Sequence, residues 1–462
     1  MPTNPKTPTT TNTQPATAVN SQPPLDADSR TAPADPSSEN FAALIGIDWG
    51  DQEHATCLLP SGSDRLEHTV IKQTPEALAE WVQQLRRRFG GRALALCLEQ
   101  SRGALIHALM KYDFLVLFPI APTRLARYRA AITSSGAKDD PSDAALALDY
   151  LRRHREHLRP WRPDDALTRQ IALLSEARRR TVNLRTRLSN ALKSQLKEYF
   201  PQAIAWLGNT VHTRLAADFF IKWPTLQALQ RAKPQTVRKF FYAHNYRRPQ
   251  RLEDMLTQIA TALPLTSDCA IVEAAALTVR MLAGQLRPLA VSLEQFDRKL
   301  AELFARHPDA AIFGSLPGAG AALAPRLLSA FGGDRRRFES ARQMQTYSGV
   351  APVTIRSGRR CSVRRRWACP KFLRQTFHEF AGQSIIWSAW AKAYYQLQKA
   401  AGKPHHTAVR ALAFKWIRII FRCWRDRKLY DETAYLQALR RRNSPLLQRL
   451  TVPATKTHKT CQ

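Results

Sequence analysis

Ala43-Leu44-Ile45-Gly46-Ile47-Asp48 is a short apolar run that closes on a carboxylate, and Ala93-Leu94-Ala95-Leu96-Cys97-Leu98-Glu99 repeats that pattern further along the chain. A brief run that is apolar at consecutive positions reads as a strand buried on both faces. Between the two lie a strand from His54 to Leu59, a turn at Pro60-Ser61-Gly62 and an alternating strand from Arg65 to Ile71. Thr74-Pro75 then offers an N-cap followed by proline in the first helical position, opening a helix that reaches Phe89.

After Glu99 the spacing predicts a helix over Gly103 to Tyr112, a strand over Phe114 to Phe118 and a basic helix over Pro122 to Ile132. The loop Ser134 to Asp140 follows, with a helix starting at Pro141. Three strands, a helix, then alternating strands and helices is the order of an α/β RNase H-like mixed sheet, assigned here to residues 41–158. Residues 1–40 are rich in Pro, Thr, Ser and Asn without an aromatic residue, and read as a disordered tail.

Residues 159–310 read as a helical linker region. Leu184, Leu188, Leu192 and Leu196 interleave with Arg185, Arg187, Lys193 and Lys197, as in a long amphipathic helix. Leucines at 277, 282, 286, 289, 293 and 300 mark a second. A coiled-coil stalk, an oligomer interface and an ordinary helical bundle all fit this pattern. Residues 311–432 form a mostly α C-terminal domain, with Leu316-Pro317-Gly318-Ala319-Gly320 as a turn between helices and Trp387, Trp390, Trp416 and Trp424 in later helices. A basic tail, 433–462, closes the chain.

The chain of 462 residues carries 70 Lys and Arg against 37 Asp and Glu, a net charge of +33, with 44% apolar residues. The apolar fraction excludes a wholly disordered chain, and the charge points to a polyanion, above all nucleic acid. No apolar run of membrane-spanning length and no signal peptide are expected, so a cytoplasmic protein associated with nucleic acid and with no membrane partner is expected. Seven widely spaced cysteines with no C-x-x-C pair exclude a disulfide framework and a cysteine zinc site.

Two constellations could carry chemistry. Asp48 and Glu99 end neighbouring strands, and Asp140 and Asp143 lie three apart at a helix start, sharing a face. Convergent carboxylates without counter-charges repel, and hard oxygen ligands select Mg²⁺ or Mn²⁺. Singly, each has a structural reading: Asp140 as N-cap, Asp143 as a first-turn acid. Asp51, Glu53 and Asp139 lie off the expected site. In Arg356-Ser357-Gly358-Arg359-Arg360, a serine sits among arginines that can hold a phosphate, so Ser357 is a candidate nucleophile, with Ser348 and Ser362 as rivals. A Ser-Gly turn in a phosphate-binding loop is the plainer alternative. Arg335 to Arg374 holds 12 Lys and Arg and one acid, Glu339. Arg356, Arg359, Arg360, Arg364, Arg365, Arg366, Lys371 and Arg374 are candidate nucleic-acid contacts, and the backbone at Gly318 and Gly320 is a candidate phosphate site.

Taken in order, these residues resemble the DEDD insertion-sequence transposases of the IS-one-ten family. The likeness rests on Ile45-Gly46-Ile47-Asp48, Leu98-Glu99, Lys138-Asp139-Asp140-Pro141-Ser142-Asp143-Ala144, Leu316 to Gly320, Tyr347-Ser348-Gly349-Val350-Ala351-Pro352, Ser357-Gly358, and Trp424-Arg425-Asp426 with Tyr430-Asp431. Asp139 replaces the family's usual Thr, and Arg366 to Arg374 lacks the usual Gly-Asn. The resemblance implies a RuvC-like N-terminal domain whose Asp48, Glu99, Asp140 and Asp143 bind Mg²⁺, and a C-terminal domain whose Ser357 attacks DNA. It also implies a structured bridge RNA as guide and a homo-oligomer, dimer or tetramer, with shared active sites. A RuvC-like nuclease on branched DNA and a non-enzymatic nucleic-acid scaffold are the competing readings.

Overall fold

The computed structural model describes residues 40–99, 103–132 and 140–446. The terminal tails at 1–39 and 447–462, and the loop 133–139 that holds Asp139, lie outside the described residues. The chain divides into two compact units, Met1–Pro163 and Asp164–Gln462.

The first unit runs β1 (Ala43–Trp49), β2 (Glu53–Pro60), β3 (Glu67–Lys72), α1 (Pro75–Phe89), β4 (Leu94–Leu98), α2 (Ala104–Leu109), β5 (Leu115–Pro119), α3 (Pro122–Ile132) and α4 (Asp140–His154). The sheet order is β3-β2-β1-β4-β5. β1 pairs antiparallel with β2 and parallel with β4, and β4 pairs parallel with β5. The cap at α1 forms as its sequence predicts: Thr74 Oγ1 accepts from the Ala77 amide at 3.3 Å, and Gly90 ends the helix with φ +60°.

Alternation sorts the strand residues onto two faces. Ile45, Ile47, Leu94, Leu96 and Leu98 pack with Trp81, Leu85 and Ile106 on the α1–α2 side. Ala55, Cys57 and Leu59 pack under Ala144 and Leu148 of α4 on the other. Gly46 is where α4 meets β1. A Cβ built there would lie 2.0 Å from the Ala144 carbonyl oxygen and 2.5 Å from the Leu148 amide, both fixed backbone. Only a missing side chain lets α4 cross β1 this closely, and the crossing point lies beside Asp143. Gly46→Ala is expected to displace α4 and destabilise this unit by about 3 kcal/mol or more, read as a lowered denaturation midpoint with loss of activity. A wild-type midpoint would contradict this seating of α4.

The second unit is built on two long helices, α5 (Ala166–Tyr199) and Cys269–Ala305, capped by Asp165 and Asp268. Ile171 near the start of α5 shares a core with Leu300 and Leu303 near the end of its partner. Leu192 and Leu196 share another with Val279, Leu282 and Leu286. The two helices are therefore antiparallel and link two cores, with Arg178 and Asp297 ion-paired between them. The two long helices thus pack on each other within one chain. Five short helices between Gln202 and Thr261 complete the second core with Phe219, Phe220 and Phe241. One expectation needs amending: Cys269–Ala305 holds an 18-residue window of mean hydropathy 1.4, long and apolar enough to cross a membrane by length and composition.

The first core is closed by the C-terminal helices Gly320–Phe331, Lys371–Trp387, Ala389–Ala400 and His405–Arg425. Trp390, Trp416 and Trp424 are fully buried there. Their indole N–H groups donate to Tyr430 Oη at 2.7 Å, Ser384 Oγ at 2.7 Å and the Gly332 carbonyl at 2.8 Å. These three tryptophans are core, and no nucleic acid can stack on them; the internal partners explain why the polar edge of each tolerates burial.

Candidate active site

β1 and β4 bring two of the four predicted carboxylates together. The parallel register ends at Ile47↔Leu98, so Asp48 and Glu99 occupy the next step on adjacent chains, about 5 Å apart in backbone terms. Both fall on the face covered by α4. Asp140 is the first residue of α4, one turn before Asp143. Burial pushes the Cys97 thiol up to about 12, and the Glu99 carboxylate near it adds to the shift.

Asp143 corrects a premise of the sequence reading. Its side chain is buried and ion-paired with Arg129 of α3, so the four carboxylates do not stand without a counter-charge. Asp48, Glu99 and Asp143 do not draw their oxygens into a tight cluster. Among the described residues, the ligand atoms that lie within 4.8 Å of one another in a group of three belong to His154, Glu156 and His157, at the far end of α4. The carboxylates nevertheless fit a hard divalent ion by their chemistry: oxygen donors from two adjacent strand ends and the first turn of one helix.

The second constellation forms a β-hairpin, where the sequence alone suggests a Ser-Gly turn in a loop. β6 (Val353–Ser357) and β7 (Arg360–Arg364) pair antiparallel from Val353↔Arg364 to Ser357↔Arg360. Gly358 opens the two-residue turn with φ +56°, the left-handed position such turns reserve for glycine. Ser357 therefore stands exposed at the hairpin tip. The register divides its arginines. Opposed residues share a face, so Ser357 lies with Arg360, Ser362 and Arg364, whereas Arg356 lies on the other face with Cys361. Arg360 is directly across from Ser357, at the ~5 Å Cβ spacing of an opposed pair. Ser348 drops out as a rival nucleophile: it is fully buried, its hydroxyl donating to the Gln345 carbonyl at 3.2 Å. Ser362 is exposed but sits two places back from the tip.

Several cations of the basic stretch are already engaged. Arg335 holds Asp309 with two bonds of 2.5 and 2.6 Å, and Arg337 holds Asp164 at 2.7 Å. Arg366 Nε donates to the Ala351 carbonyl and Arg374 Nη1 to the Arg366 carbonyl, each at 3.4 Å, so both brace the segment after the hairpin. Arg356, Arg359, Arg360, Arg364 and Lys371 are exposed. Gly318 has a packing reason to be glycine: its φ is +78°, and a Cβ would come within 2.8 Å of Trp387 and 3.2 Å of the Gln383 backbone. Gly320 also has positive φ, +53°, with open space around it.

Two family models match this chain. Residues 45–201, from β1 through α5, match the DEDD transposase model of IS110 type, and residues 310–396, which include the hairpin, match the transposase model of the IS116/IS110/IS902 family. The chain belongs to the IS110 family of transposases. Within it, the chain is 27% identical over 428 residues to the "Mini-circle putative transposase for IS117" of Streptomyces coelicolor, covering 89% of this chain and 99% of that protein. It is 27% identical over 399 residues to the uncharacterized 42 kDa protein of insertion element IS900 from Mycobacterium paratuberculosis, covering 83% of this chain and 96% of the relative. The uncharacterized 43.6 kDa protein of IS110 itself, from Streptomyces coelicolor, is 25% identical over 407 residues, covering 85% and 96%. An IS110-family transposase acts on DNA, and its DEDD class depends in general on divalent metal.

Proposed function

We propose that this transposase is a site-specific recombinase that cuts and rejoins the DNA of a mobile insertion sequence with two sets of groups: the carboxylates of an RNase H-like, RuvC-like first unit and the serine of the hairpin. The observation that carries this reading is Ser357, exposed at the tip of a hairpin with Arg360 directly opposite. Asp48, Glu99, Asp140 and Asp143 would hold Mg²⁺ or Mn²⁺. Such ions, when bound, stabilise charge on the attacking and leaving oxygens of a phosphodiester. Ser357 Oγ attacks the phosphorus, forms a phosphoserine ester and releases the 3′- or 5′-oxygen of the leaving strand. Arg360 places its guanidinium against the phosphate oxygens as charge builds there. A structured bridge RNA as guide, and assembly as a dimer or tetramer, follow from the family resemblance. Leu277, Met281 and Val291, exposed on one side of the helix Cys269–Ala305, support a second copy as partner.

The face assignment separates the arginines. Arg360→Gln is expected to slow cleavage by about 10²-fold, whereas Arg356→Gln weakens DNA binding by severalfold and leaves the single-turnover rate near wild type. Equal rate losses would contradict the assignment. The function itself is tested on end-labelled element DNA with Mg²⁺ or with chelator. Metal-dependent cleavage that leaves protein on the DNA supports the recombinase. Metal-dependent cleavage with free ends supports the alternative, a RuvC-like nuclease acting on branched DNA.

A further inference from the structure

Trp367 lies three residues beyond the end of β7 and is 74% exposed. Trp390, Trp416 and Trp424 are buried and give their N–H groups to internal partners, whereas the Trp367 indole faces solvent. The backbone on either side of it is nevertheless tied down. Arg366 is braced to the Ala351 carbonyl, and the Cys369 thiol points back to the Trp367 carbonyl at 3.7 Å. Gly349 packs so tightly on that cysteine that a Cβ there would come within 2.2 Å of its sulfur. The indole is thus displayed by an anchored segment.

Its surroundings select the occupant. Residues 340–378 contain no Asp or Glu. The Arg365 guanidinium lies over the indole at 4.9 Å from the ring centroid. A flat aromatic surface already stacked with a guanidinium, inside a stretch of unopposed positive charge, matches an unpaired nucleotide: the base takes the ring and the phosphates take the arginines. A protein surface has no repeating anion to meet this charge, and a duplex keeps its bases stacked within.

Resting on the proposed nucleic-acid role of the hairpin, we propose that Trp367 is a stacking platform for an unpaired base of a single strand, at the root of the hairpin whose tip carries Ser357. β7 spans about 13 Å from Arg360 to Arg364 at the usual rise per residue. The stacked base therefore lies a few nucleotides from the phosphate that Ser357 meets, and fixes the register of the strand on the hairpin.

The test uses the full chain, with fluorescently labelled 12-nucleotide DNA and RNA strands and a matched DNA duplex, across a salt series. Trp367→Ala is expected to weaken single-strand binding about tenfold, to leave duplex binding unchanged and to keep the salt slope, because stacking releases no counterions. Trp367→Phe should restore most of the affinity. In the wild type, single strand should quench a tryptophan emission that Trp367→Phe lacks, which gives a readout independent of the alanine variant's folding. A loss confined to RNA assigns the platform to a guide strand, and one confined to DNA to an element strand; either supports it. Unchanged single-strand affinity with no quenching would overturn the proposal, as would equal losses on duplex and single strand. Replacing Arg364, Arg365 and Arg366 with Gln is the separate control. If that variant also keeps its affinity and salt slope, the nucleic-acid role of the hairpin fails, whatever Trp367 does.

Discussion

Glu99→Gln combined with Asp140→Asn is expected to abolish strand cleavage, by at least about 10³-fold, while the protein keeps its fold and its nucleic-acid affinity. These two are the right positions to change. Asp143 is buried against Arg129, so Asp143→Asn would strand a guanidinium, and its effect would mix lost chemistry with about 3–5 kcal/mol of lost stability. Glu99 lies just beyond the last residue of β4, and Asp140 opens α4. Each substitution is close to isosteric and removes only charge and donor strength. On the proposed reading binding rests on the basic residues of the second unit, so it should survive, and circular dichroism and denaturation midpoints should match the wild type. Chelation should reproduce the defect, with recovery on adding Mg²⁺ or Mn²⁺. Full activity in the double variant would reject the metal site.

Ser357→Ala should be as severe for chemistry and milder for everything else. The hydroxyl is the one group at the hairpin tip able to form an ester with phosphorus, and its removal is expected to cost about 10⁴-fold or more in cleavage. The hairpin should persist, since its turn depends on Gly358 and its ladder on backbone groups. Affinity should be near wild type, because one exposed hydroxyl contributes little beside the charge of the four arginines of the hairpin. Ser357→Cys is the complement: a thiolate there could attack phosphorus only poorly, so the same loss is expected. Residual cleavage in Ser357→Ala that rises with metal and leaves free ends would move the chemistry to water.

Part of this was legible in the sequence. The two runs ending in Asp48 and Glu99 are apolar on both faces, and only a strand between two helical layers has that need. Thr74-Pro75 announced α1 by its capping chemistry, which is local. What depended on distant partners was not legible. The pairing of Asp143 with Arg129 joins two helices across a loop, and the burial of Trp390, Trp416 and Trp424 depends on Tyr430, Ser384 and Gly332, which no local pattern links to them. The hairpin lay between these cases. Val353, Thr354, Ile355 and Val363 are β-branched and flank a two-residue turn that begins with glycine, a recognised hairpin signal. The arginines drew attention to charge and away from that spacing. Reading the hairpin is what sets Arg360 beside Ser357 and removes Arg356, a distinction that composition cannot make.

The central claim is that this transposase opens DNA with a serine of the hairpin. The most direct measurement is to trap the wild-type reaction on labelled element DNA with metal present, digest the complex with protease and identify the peptide joined to the DNA. The account predicts one phosphoester, on Ser357, in a peptide carrying Arg356 and Gly358 from the hairpin tip. An adduct on Ser362, or efficient cleavage with no adduct at all, would contradict it.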